Sequence, residues 1–316
     1  MLSQVQHQAE GVHFLRRVVE GSAVSPLLLL GPEGVGRKFS VLCAAQEMFC
    51  TGERTVGCQC AACYQVKRGI HPDLYVMDGT LKDIGIDDVK ALIEESHVYP
   101  SAADVRCMII DGADRFTRPA ANAFLKTLEE PPKRVRFFLL GEDRSKILPT
   151  IRSRCGLVRY GLLPSEFVSS IVQQHSDDED KALVYARMGE GSVGRAVRYC
   201  KYGKLATRDQ VLRFMRMSMN KDLLGAFSVI DSLDRELELG LLFMSQLLHD
   251  VLIVQLDPMR VINVDVSNDL QEMGNRAPTH VWLSLSRKLG SLQHQYRFTS
   301  LNLGFQVKTI LAETFV

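Results

Sequence analysis

Four short apolar runs divide the first half of the chain: Leu27–Leu30, Leu74–Met77 with Asp78 after it, Cys107–Ile110 closing on Asp111, and Phe137–Leu140. Each is short and apolar at nearly every position, the signature of a strand buried on both faces rather than one with a wet side. Between them, Asp87–His97 and Ala120–Glu130 place apolar residues at helical spacing, Pro119 suits a first helical turn, and Pro131-Pro132 stops the second helix. Strands alternating with helices predict an α/β domain whose parallel sheet is covered on both faces.

After Arg159 the strand runs stop. Segments near 164–175, 179–189 and 192–203 read as short helices, separated by the charged run Ser176–Lys181 and by Gly189–Gly191. From about 206 the helices lengthen. Leu241, Leu242, Met244, Leu247, Leu248, Val251 and Leu252 form the i, i+3, i+4 stripe of a well-buried one. The pattern predicts an α/β domain over 1–160, a small helical domain over 161–205 and a helical domain over 206–316.

Composition narrows the class without naming it. A chain of 316 residues, 46% hydrophobic and 24% charged, has the balance of a globular protein of about two or three domains. Its formal net charge is +1, so a nucleic-acid role cannot rest on overall charge and needs a local patch. No apolar stretch approaches about 18 residues. The start, MLSQVQHQAEGVH, has no basic region leading into an apolar one. The expectation is a cytoplasmic protein without membrane insertion. In such a compartment the eight cysteines are thiols or metal ligands rather than disulfides.

The turn after the first strand, within Leu27–Lys38 (LLLLGPEGVGRK), has the outline of a phosphate-binding loop. A working loop reads Gly-x-x-x-x-Gly-Lys-Ser/Thr: backbone N–H groups cradle phosphates, the Lys reaches the β- and γ-phosphates, and the hydroxyl holds Mg²⁺. Gly31, Gly34 and Gly36 keep the turn, but Arg37 replaces the Lys and Lys38 replaces the hydroxyl. An ammonium cannot ligate a cation. The loop geometry is retained while the metal chemistry is lost.

Asp111, at the end of the third apolar run, stands where a phosphate-loop NTPase places its magnesium carboxylate. Ala120–Pro132, AANAFLKTLEEPP, follows, and then Ile151-Arg152-Ser153-Arg154-Cys155. Together these segments resemble the clamp-loader branch of the AAA+ family, whose bacterial members are the gamma/tau and delta-prime subunits of DNA polymerase III. The resemblance covers roughly residues 5–205 and weakens beyond.

The resemblance implies more than the periodicity shows. The fold would be an AAA+ P-loop domain with a zinc-module insertion, a helical lid and an all-α C-terminal collar. Arg154 would be an arginine finger, reaching across a subunit interface to the γ-phosphate of a neighbour's ATP; a guanidinium suits that role through its fixed charge and bidentate donors. Cys50, Cys58, Cys60 and Cys63 would hold a structural Zn²⁺, tetrahedral and closed. Cys58-Gln-Cys60 departs from the family, which has two intervening residues there; Cys43 is the rival fourth ligand, better read as a buried apolar residue.

Active relatives have a Glu after the magnesium carboxylate, where this chain has Gly112. They have a polar Thr or Asn after the fourth strand, where Gly141 and Glu142 stand, and an ATP-contacting Arg where Gly194 stands, with Arg195 about 100° further round the helix. The implied protein binds no ATP, hydrolyses none, and serves a complex with gamma/tau and delta subunits that loads a sliding clamp on primer-template DNA. Two rivals remain from the residues: a gamma/tau-like ATPase with a divergent phosphate loop, and a stand-alone zinc-containing DNA-binding protein. The near-neutral charge gives the second little support.

Overall fold

The structure is a computed structural model that describes residues 1–22, 26–80, 82–233, 236–296 and 302–315. The chain forms two compact units, one of Met1–Pro164 with Ser192–Gly194, the other of Ser165–Gly191 and Arg195–Val316.

The first unit is built on five parallel strands: β1 (Leu27–Leu30), β2 (Leu74–Asp78), β3 (Arg106–Asp111), β4 (Val135–Gly141) and β5 (Gly156–Arg159). Their order across the sheet is β2-β3-β4-β1-β5. Pairing Leu30 with Gly141 and with Arg159, and Asp111 with Leu140, brings the C-terminal ends of β1, β3, β4 and β5 to one edge. Helices α1 (Ala9–Val19), α2 (Arg37–Phe49), α3 (Ala61–Arg68), α4 (Ile86–Ser96), α5 (Arg118–Glu129) and the single turn α6 (Pro149–Arg152) surround it.

Alternate residues of the same strands supply two cores. Leu27, Leu29, Cys107, Ile109, Phe138 and Leu140 pack with Leu15 of α1, Val41 of α2 and Val66 of α3. Leu28, Leu30, Met108, Ile110, Phe137 and Leu139 pack with Leu92 of α4 and with Phe124 and Leu128 of α5. Burial on both faces explains why these strands are apolar throughout. The edge strand β5 buries only Val158 fully. Its apolar stretch is only Leu157-Val158, between Gly156 and the exposed Arg159, too short for the sequence pattern to reveal.

Asp73, fully buried just before β2, ties the first unit's loops together. It accepts the backbone N–H groups of Ser101, Ala102 and Ala103, each at 2.8 Å. Burial by itself would raise its pKa, but these three donors hold the carboxyl below the usual carboxylate value.

The second unit is helical: α7 (Ser165–Gln173), α8 (Glu179–Met188), α9 (Val193–Lys201, whose first two residues belong to the first unit), α10 (Leu205–Met219), α11 (Leu223–Leu233), α12 (Leu237–Ile253), α13 (Ser267–Arg276), α14 (Thr279–Tyr296) and α15 (Leu303–Phe315). On α12, Leu241, Met244, Leu247, Leu248 and Val251 are buried, while Leu242 and Leu252 lie at the margin of the stripe. Among the described residues, no helix is long and apolar enough to cross a membrane.

Replacing Asp73 by Ala removes the buried acceptor of three partly exposed N–H groups, at a cost of roughly 3 kcal/mol. Urea unfolding of the first unit should show that loss, and Asp73→Asn, which keeps one acceptor oxygen, should lose less. Because its carboxyl is depressed in the folded state, Asp73's contribution is complete above the unfolded value near 4 and disappears as pH falls through the folded one.

Candidate functional site

At the C-terminal edge of a parallel sheet, loops leave the strands and polar chemistry can collect. The turn after β1 runs from Gly31 to Gly36 and delivers the chain into α2. Over this turn lie Ser192 and Gly194. The Ser192 hydroxyl donates to the Glu33 carbonyl at 2.7 Å, and the Gly194 N–H donates to the Gly34 carbonyl at 2.9 Å. A Cβ on Gly34 would run into the Ser192 hydroxyl and come within 3.0 Å of the Gly194 Cα. Gly34 also has φ of 75°, in the left-handed region, so glycine answers two demands at once.

Both cations that open α2 are engaged within the chain. The buried Arg37 guanidinium donates to the Gly141 carbonyl at the end of β4, and its other terminal nitrogen approaches Glu142 Oε1 at 3.4 Å. Lys38 Nζ lies 3.2 Å from Asp111 Oδ2, at the end of β3. Thus the carboxylate that matches a magnesium ligand carries an ammonium from its own chain. Beside it, Gly112 has φ of 101°, and a Cβ there would stand 2.8 Å from the Gly79 carbonyl oxygen. Any side chain at this position would be strained in the backbone that Gly112 adopts.

Arg195, in the second unit, turns to Glu190 at 3.4 Å.

Arg154 sits between α6 and β5, just before an edge strand of the sheet. Its side chain is 30% exposed. Nε donates to Glu129 Oε1 at 2.6 Å, and Nη1 donates to the Thr150 carbonyl at 2.9 Å. The motif AANAFLKTLEEPP contains Glu129, but nothing in the linear spacing couples it to a residue 25 positions later.

A separate cluster forms beneath α2 and α3. The sulfurs of Cys50, Cys58, Cys60 and Cys63 all lie within 4.8 Å of one another. Cys50 Sγ is 3.7 Å from Cys58 Sγ and 3.9 Å from Cys60 Sγ. Four thiolates arranged tetrahedrally about 2.3 Å from one ion would be about 3.8 Å apart, so the donor set fits a divalent cation of zinc's size and softness. Cys60 caps the N-terminus of α3, its Sγ accepting from the Cys63 N–H, and that bond lowers the Cys60 thiol to about 5. Burial pushes the Cys63 thiol the other way. A bound cation would favour thiolate at all four. The single-residue spacing of Cys58 and Cys60 therefore does not keep them from the cluster. Cys43 lies outside it, buried in α2, its thiol raised by burial to about 11.

Comparison with known proteins agrees with this architecture. A family profile described as "DNA polymerase III, delta subunit" matches residues 7–162. The delta-prime subunit of DNA polymerase III from Escherichia coli (strain K12) is 27% identical over 256 residues, 79% of this chain and 76% of that one. The gamma subunit from Buchnera aphidicola subsp. Schizaphis graminum is 27% identical over 192 residues, 58% of this chain and 53% of that one. A DNA polymerase III gamma subunit-related protein from Thermotoga maritima shares the fold, with a TM-score of 0.55 at 18% identity over 96% of this chain and 98% of that one. The chain is related to the clamp-loader subunits of DNA polymerase III, delta-prime, gamma and tau.

Proposed function

We propose that this chain is a delta-prime-type clamp-loader subunit: it hydrolyses no ATP itself and completes a neighbouring gamma/tau ATP site with Arg154. One observation carries the reading. Arg37 and Lys38, which stand where a phosphate-loop NTPase has its phosphate-binding Lys and its metal-binding hydroxyl, are held by Gly141, Glu142 and Asp111 of the same chain. Gly112 removes the remaining acid. With Arg37 and Lys38 held in this way, Arg154 of the Ile151–Cys155 motif, 30% exposed on the first unit, is the cation we assign to a neighbour's site.

In this reading the partners are gamma/tau and delta subunits, with the sliding clamp and primer-template DNA met through the complex. Arg154 would stabilise charge that develops on the γ-phosphoryl oxygens of the neighbour's ATP, where fixed donors count most because they need no reorganisation. Cys50, Cys58, Cys60 and Cys63 would hold Zn²⁺ as a closed structural site: four thiolates leave no position for water or substrate. The alternative, a gamma/tau-like ATPase with a divergent loop, has relatives in its favour but needs Lys38 to leave Asp111.

Three measurements test the proposal. In a complex reconstituted with gamma/tau and delta, Arg154→Ala should assemble normally and reduce clamp- and DNA-stimulated ATPase. Fingers supplied in trans contribute about 10³–10⁵ at one site, and the loss for a whole ring should be smaller because other sites keep their fingers. Arg154→Lys should rescue poorly, since an ammonium lacks the planar fork. Unchanged clamp loading by the Ala variant would reduce Ser153-Arg154-Cys155 to a structural turn.

The isolated chain should show no ATP turnover, and MgCl₂ should leave its melting temperature unchanged because Lys38 already neutralises Asp111. Micromolar Mg·ATP binding, with turnover abolished by Asp111→Asn, would establish the ATPase reading instead.

Metal analysis should find one Zn²⁺ per chain, and chelation should loosen residues 50–63 first and weaken the core that Cys50 and Cys63 share with Leu27, Leu29 and Ile109, while the core on the other face of the sheet stays intact. Cys58→Ser with Cys60→Ser should release it; undiminished zinc in that variant would move the site to other residues.

A further inference from the structure

Glu129 ends α5, where a carboxylate is electrostatically misplaced: the C-terminal end of a helix carries partial negative charge and favours cations. Its compensation comes from Arg154. Glu129 Oε1 accepts from Arg154 Nε at 2.6 Å and also pairs with Nη2. On the other side, Arg154 Nη1 donates to the Thr150 carbonyl at 2.9 Å and more loosely to the Ser153 hydroxyl at 3.3 Å.

A guanidinium offers five N–H donors in a rigid plane. Glu129 takes the edge formed by Nε and Nη2, and Thr150 takes one Nη1 donor. The remaining Nη2 donor, with the Nη1 donor that Ser153 holds only weakly, forms the end-on fork able to meet two oxygens of a phosphoryl group. Both mounts are firm. Leu128, beside Glu129, and Ile151, at the start of the turn bearing Arg154, are buried in the same hydrophobic cluster, which Cys155 also joins from its edge.

We propose that Glu129 is the positioning residue for Arg154: it grips the guanidinium by its Nε edge so that the Nη1/Nη2 end is presented outward. This rests on Arg154 acting as a finger in trans. The physical reason is preorganisation. A free Arg side chain samples many rotamers, and a donor pair already aimed at the phosphoryl oxygens avoids that loss when the charge develops. The pair is too exposed, at 30% for Arg154 and 48% for Glu129, to matter much for folding. A structural role and a positioning role therefore separate cleanly.

The test is a double-mutant cycle in the full reconstituted complex, with Glu129→Ala, Glu129→Gln, Arg154→Ala and the Glu129→Ala/Arg154→Ala pair. Glu129→Ala should leave the melting temperature and assembly unchanged. It should lower stimulated turnover at the affected site about three- to tenfold, less than Arg154→Ala does, with the ATP concentration at half-saturation unmoved. Glu129→Gln retains an oxygen for the Nε donor and should recover most of the rate. The double variant should be no slower than Arg154→Ala alone, because Glu129 acts only through Arg154. A Glu129→Ala complex faster than the unmutated one would make Glu129 a restraint on the finger and overturn the proposal. So would a double variant slower than Arg154→Ala, or a normal rate for Glu129→Ala where Arg154→Ala is impaired. If Arg154→Ala itself runs at the unmutated rate, the finger reading fails, and that result is distinct from the others.

Discussion

Burial of one parallel sheet on both faces is the constraint from which the rest of this molecule follows. Leu27–Leu30, Cys107–Ile110 and Phe137–Leu140 feed two cores by simple alternation, so no position along these runs is free for a polar group. Chemistry is confined to the ends of the strands. That is why Asp111, Gly112, Gly141 and Glu142 gather where β3 and β4 stop, facing the turn after β1.

At that edge, two changes of residue type alter the electrostatics without altering the fold. A lysine and a hydroxyl at the start of α2 would serve a phosphate and a metal ion. Arg37 and Lys38 instead find acceptors in their own chain, a carbonyl and two carboxylates. The turn is also fixed by packing, because Gly34 is held against Ser192 and Gly194.

Two local clusters show how polar groups are placed away from the edge. Asp73 is buried because three backbone donors accompany it, and a lone carboxylate there would be expelled or protonated. The four cysteines are drawn together by the end of α2 and the first turn of α3, whose N-cap is itself Cys60. The Arg154 and Glu129 pair belongs to the same class: two helix ends, fixed by buried neighbours, bring opposite charges together at the surface.

Much of this was legible in the residues. Four of the five strands, the break after Arg159 and the short helices near 164–203 follow from apolar period and from proline and glycine, because burial selects residue type directly. The pair Arg37-Lys38 at the loop's two reactive positions is likewise plain in the residues, though not the partners that hold it. What only the tertiary structure decided were pairings between distant segments. These are Lys38 on Asp111, Arg37 on Gly141, Ser192 over the phosphate loop, Glu129 on Arg154, and the closing of Cys58-Gln-Cys60 onto Cys50. The edge strand β5 also belongs here, because its apolar stretch is only Leu157-Val158, between Gly156 and Arg159. Periodicity reports which face of an element is dry; which partner a charged or polar atom finds across the fold depends on the packing of elements that the linear order does not place side by side.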